Sequence, residues 1–84
     1  MTEDPITVLI VEDDADFRDS SARWMQRKGH HVAAAASGAE ALSLCSRQDF
    51  EVGVFDMNMP GMSGIELLQR VRDEGIDMEV IILT

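Results

Sequence analysis

The sequence predicts an α/β fold, a doubly wound parallel sheet with helices on both faces, on three observations. Short apolar runs alternate with amphipathic stretches in the order β-α-β-α-β-α-β. The connections are short, so consecutive strands lie parallel, joined by right-handed crossovers. Two of the apolar runs end in acidic residues, at the strand ends where open α/β sheets bind their ligands.

The first strand is Ile6-Thr-Val-Leu-Ile-Val11, β-branched and too short for a helix. Glu12, Asp13 and Asp14 follow at once. From Ala15 to Lys28 the apolar positions Phe17, Trp24 and Met25 fall at helical spacing, with Asp14 as N-cap and Gly29 as stop. His31-Val-Ala-Ala-Ala35 reads as a weaker second strand. Ser37-Gly-Ala-Glu40 then matches the S-x-x-E capping box, in which each side chain reaches a free backbone N–H. Ala41, Leu42 and Cys45 supply the buried stripe of that second helix.

Val52-Gly-Val-Phe55 is the third strand and runs straight into Asp56. A turn with Pro60 and Gly61 leads to a second capping box, Ser63-Gly-Ile-Glu66. Leu67, Leu68 and Val71 share one face of the third helix, and Gly75 ends it. The fourth strand, from Met78 to Thr84, closes the sequence, which therefore reads as cut at a strand end.

Eighty-four residues make at most one small domain, 1–84. A chain near this size buries only about 60–65% of its unfolded surface, so its stability is marginal. With 45% hydrophobic and 27% charged residues it still belongs with globular rather than disordered chains. The net charge of −9 argues against direct nucleic-acid binding, which rewards clustered Lys and Arg. Cys45 is the only cysteine, so no internal disulfide forms. No apolar stretch reaches membrane-spanning length and no secretory leader pattern opens the chain, so a cytoplasmic location is the expectation.

The acids carry the chemistry. If the first and third strands are neighbours, Asp13 and Asp56 converge beyond their carboxyl ends. Clustered carboxylates repel one another, which raises their pKa values or recruits a cation. Oxygen-only donors select hard ions, and a few carboxylates plus water suit Mg2+ better than Ca2+. Asp14 and Asp16 read instead as helix-capping acids. Thr84 ends the fourth strand and would place its hydroxyl toward the same crevice.

Together, Val8-Leu-Ile-Val-Glu-Asp-Asp14, Val54-Phe-Asp-Met-Asn-Met-Pro-Gly-Met-Ser-Gly64 and Val80-Ile-Ile-Leu-Thr84 resemble the response-regulator receiver family of two-component signalling. The resemblance covers nearly the whole chain and leans toward receivers of ATPase-type transcriptional activators. It implies a flavodoxin-like sheet of strand order 2-1-3-4, here without the α4-β5-α5 segment of a complete receiver. It implies that Asp56 accepts a phosphoryl group from a sensor histidine kinase, and that an output domain in the parent protein responds. Mg2+ would be held by Asp13 and Asp56, by Glu12 directly or through water, and by the backbone carbonyl of Asn58; Thr84 would be the switch hydroxyl. The family's lysine on a fifth strand has no counterpart, since Lys28 lies in the first helix. With the fourth strand as an apolar edge, self-association or segment exchange is expected of the 84-residue form.

Other chemistries fit less well. A haloacid-dehalogenase-type phosphatase needs a second Asp two residues after its nucleophile, where this chain has Asn58. Neither a Ca2+ loop nor a phosphate-binding glycine loop is present. Gly61-Met-Ser-Gly-Ile65 lacks the last glycine of a nucleophile elbow, and Ser63 is better explained as a cap. His30 and His31 are expected at the surface, and Cys45 as a reduced core residue. Met57, Met59 and Met62 read either as an adaptable partner surface or as ordinary packing. The rival from another class is a receiver-shaped interaction module that is not phosphorylated.

Overall fold

The computed structural model describes residues 4–84. Four parallel strands, β1 (Thr7–Val11), β2 (His31–Ala35), β3 (Val52–Asp56) and β4 (Glu79–Leu83), form one sheet in the order β2-β1-β3-β4. Three helices connect them: α1 (Ala15–Arg27), α2 (Gly38–Cys45) and α3 (Gly64–Asp73). The order reverses at β1, since the chain first steps to β2 and then crosses back to β3 and β4. Right-handed crossovers running in opposite directions put α1 on one face and α2 with α3 on the other.

The central strand explains the long apolar run of the sequence. Val8, Leu9, Ile10 and Val11 are all buried, because β1 has a strand on each side and a helix over each face. The main core lies on the α2/α3 face, where Leu9, Val11, Phe55, Leu67 and Val71 are shut off from solvent. Phe50, Met59 and Met78 belong to the same core.

The helix ends follow their local chemistry. Asp14 caps α1 by accepting from Phe17 N–H at 3.1 Å. Ser63 and Glu66 complete the reciprocal capping box of α3. The box expected at α2 is only half made: Ser37 Oγ accepts from Glu40 N–H at 3.2 Å, but exposed Glu40 does not reach back. Gly29 and Gly75 follow α1 and α3 with φ of +95° and +71°, a conformation that side-chain-bearing residues disfavour.

One departure from expectation concerns α1. Phe17 and Trp24 are 53% and 54% exposed, and no residue of α1 is fully buried. The half-buried positions are Arg18, Ser21, Ala22 and Met25, which share one face at helical spacing. Small Ser21 and Ala22 let the helix approach the sheet, so the bulkier apolar residues fall to its side. Lys28 lies 5.3 Å from the centre of the Trp24 ring, a cation–π contact that covers part of it.

Candidate metal centre

Strands β1 and β3 are neighbours, with Val11 in register with Phe55. The next residue on each, Glu12 and Asp56, therefore emerges at the same edge of the sheet, with Asp13 beside them. Each of the three offers a carboxylate oxygen, and these oxygens lie within 4.8 Å of one another. Glu12 is buried, Asp56 half-buried and Asp13 exposed, so the cluster has a closed floor and an open mouth.

The acidic segment is held by backbone contacts. Glu12 N–H donates to the Ala35 carbonyl at 3.0 Å, tying it to the end of β2. Asp14 N–H donates to Glu12 Oε2 at 3.1 Å, and Arg18 Nη1 donates to the Glu12 carbonyl oxygen at 2.9 Å. Asn58 N–H donates to Asp56 Oδ1 at 3.3 Å, which fixes the Asp56 carboxylate against the following turn. Among the described residues the one ion pair is Arg70–Glu74 on the exposed face of α3, so no basic side chain neutralises the cluster.

Burial pushes the Glu12 carboxyl above its ordinary range, and the adjacent Asp56 and Asp13 carboxyls push it further. The Asp14 N–H bond opposes this only in part. Carboxylates gathered without a basic partner repel one another, and a protonated carboxyl or a bound cation relieves that repulsion. The donors are all oxygens, the set that hard divalent ions select. The residues present thus fit a Mg2+-type ion.

Gly64, first residue of α3, packs directly on the backbone of Asp56. A Cβ there would overlap the Asp56 carbonyl oxygen and lie 3.1 Å from Met57 Cα, while Gly64 N–H donates to the Met57 carbonyl at 3.1 Å. The motif around Asp56 therefore uses its glycine for close approach, a role invisible in the sequence pattern.

The other expected residues sort clearly. Met57 N–H donates to the Leu83 carbonyl at 2.9 Å, so β4 delivers Thr84 to the same edge of the sheet as Asp56, where it is exposed. Asp14 caps α1 and stands outside the converging trio, and Asp16 lies in the first turn of that helix. Met59 is buried in the core and Met62 packs against it, so for these two ordinary packing holds. Cys45 packs half-buried beside the core, and burial, with Glu74 nearby, pushes its thiol up, away from the thiolate a nucleophile needs. His31 is exposed as expected, but His30 is half-buried and its Nδ1 accepts from Ile6 N–H at 3.2 Å. It anchors the entry to β1. Lys28 sits at the C-cap of α1, the end of that helix away from the acids. Arg18 was not anticipated; its only signal was helical spacing with Ser21, Ala22 and Met25.

A doubly wound sheet with a carboxylate trio at its switch point defines a class of ligand-binding signalling domains as well as enzymes, and comparison decides between them. The response regulator receiver domain family matches residues 8–84, and the chain belongs to it. This is a family of two-component signalling domains rather than classical enzymes. The chain is 34% identical over 80 residues to the response regulator MprA of Mycobacterium sp. strain KMS, covering 95% of this chain and 35% of that protein. It is 39% identical over 67 residues to the sensor histidine kinase AruS of Pseudomonas aeruginosa, covering 80% of this chain and 7% of that protein. The solved response regulator TrrA of Thermotoga maritima, in complex with Mg2+ and BeF, superimposes with a TM-score of 0.86 at 29% identity. That match covers 94% of this chain and 69% of TrrA. The chain thus spans about a third of the length of curated relatives such as MprA. No helix among the described residues is long and apolar enough to cross a membrane.

Proposed function

We propose that this chain is the phosphoacceptor part of a two-component phosphorelay, with Asp56 receiving a phosphoryl group from a sensor histidine kinase. The observation that carries the reading is the convergence of Glu12, Asp13 and Asp56 at the carboxyl ends of β1 and β3. Asp56 is the one acid of the trio that closes the strand between β1 and β4, and it is open enough to be reached.

In this reading an Asp56 carboxylate oxygen forms a bond to phosphorus as the bond from phosphorus to the donor's nitrogen breaks. The donor leaves with the electron pair. Asn58 N–H holds the other face of the carboxylate in place through Oδ1. Asp13, Asp56, the Asn58 carbonyl and Glu12, directly or through water, would hold Mg2+, which supplies charge neutralisation for the transferring group. Thr84, delivered beside Met57 by β4, would donate its hydroxyl to a phosphoryl oxygen and report occupancy to the rest of the parent protein. An output domain of that parent, acting in transcription, would read the change; a cytoplasmic setting follows from the same reading.

Intact mass after incubation with Mg2+ and a small phosphodonor tests the proposal. We expect one phosphoryl group on the wild-type chain and none on Asp56→Asn. A folded, Mg2+-binding wild type that gains no mass would leave the interaction-module reading in its place.

A further inference from the structure

Arg18 is the basic side chain bonded to the acidic segment, and it bonds the wrong atom for a neutralising ion pair. Its Nη1 donates to the backbone carbonyl of Glu12 at 2.9 Å, while no Lys or Arg pairs with the carboxylates of Glu12, Asp13 or Asp56 among the described residues. The side chain belongs to the half-buried face of α1, with Ser21, Ala22 and Met25, so it is partly withdrawn from solvent where it meets the Glu12 carbonyl. The Glu12 backbone is thereby gripped on both polar groups: its N–H by Ala35 and its carbonyl by Arg18. Its side chain is held by Asp14 N–H, and Asp14 in turn caps α1 through Phe17 N–H.

We infer that Arg18 is a positioning residue for cation binding at this site: it fixes the Glu12–Asp13 backbone so that both carboxylates face Asp56, and leaves all three free for the ion. The inference rests on the metal-binding reading above. Its logic is that of groups behind metal ligands, whose bonds orient the ligands and whose loss costs about 10- to 100-fold in affinity. It also separates geometry from charge by sign. A guanidinium near three carboxylates repels an incoming divalent cation, so deleting it for charge reasons alone would strengthen binding. Deleting it for positional reasons weakens binding.

The test is the Mg2+ affinity of the 84-residue chain, read by calorimetry and by the rise in Tm with added Mg2+, for wild type, Arg18→Met, Arg18→Lys and Arg23→Met. Arg23 is an exposed α1 residue with no bond to the acidic segment, so its removal controls for charge. We expect Arg18→Met to lose about tenfold or more in affinity, Arg18→Lys to lose less, and Arg23→Met to match or slightly exceed wild type. Arg18→Lys keeps the charge and decides the matter should Arg18→Met fail to fold. Unchanged or tighter binding in a folded Arg18 variant overturns the inference and leaves the metal site standing. A folded wild type that does not bind Mg2+ overturns both.

Discussion

Glu12 and Asp56 close neighbouring parallel strands, and their carboxylate oxygens meet within 4.8 Å although nothing local in the sequence links them. Burial first, then Asp56 and Asp13, raise the Glu12 carboxyl above its ordinary value. A carboxyl whose folded pKa is raised contributes stability fully below its unfolded pKa and loses it as pH rises through the folded one. The metal-free chain should therefore lose stability as pH climbs through and above the ordinary carboxylate range. Mg2+ should restore stability over the same interval, releasing protons as it binds. Tm against pH, with and without Mg2+, checks this; Glu12→Gln should flatten the metal-free profile and blunt the Mg2+ response.

Gly64→Ala should be costly out of proportion to one methyl group. The added Cβ meets the Asp56 backbone, which cannot retreat without moving the carboxylate. Overpacking of this kind costs about 1–3 kcal/mol. Urea unfolding should show that loss, and Mg2+ affinity should fall with it. A variant as stable as wild type would mean that α3 simply shifts outward.

The two S-x-x-E segments should behave differently. Glu66 closes its capping box and Glu40 does not. Glu66→Ala is expected to cost about 0.5–1 kcal/mol, the usual net worth of one hydrogen bond. Glu40→Ala should stay within about 0.5 kcal/mol of wild type, as surface changes usually do. Ser63→Ala should cost about 1 kcal/mol through the lost N-cap. Denaturant midpoints for the three variants separate these cases.

As an isolated 84-residue polypeptide, the chain should self-associate. β4 is an outer strand with the sequence Glu-Val-Ile-Ile-Leu, and its Ile81 and Leu83 are 52% and 40% exposed. They border an apolar groove of about 280 Å³ that Ile10, Val54, Phe17 and Met25 also line. Unpaired strand edges of this composition pair with other chains. Sedimentation velocity should show concentration-dependent species that Ile81→Lys reduces. A monodisperse wild-type monomer at high concentration would remove the idea.

The local features were legible because they depend on local chemistry. Apolar period placed the strands and helices to within a residue or two, and Asp14, Ser37, Ser63, Gly29 and Gly75 marked their ends, since caps and stops act on backbone groups a few residues away. The acids at the ends of the first and third strands were visible in the same way. That those two strands are neighbours was not; periodicity says nothing of strand order, which entered only through family resemblance.

The sequence by itself determined which segments become strands and helices, where they stop, and that carboxylates close two of the strands. Only the tertiary structure decided which face of α1 packs, sending Phe17 and Trp24 outward and Arg18 inward. It also decided that Gly64 lies on Asp56, that His30 anchors Ile6, and that Arg18 grips the Glu12 carbonyl. The reason is physical. Secondary structure follows from side-chain period and backbone hydrogen bonding over a few residues, whereas these contacts arise where separate elements meet, and their partners are set by sheet order, register and the depth to which each helix can settle.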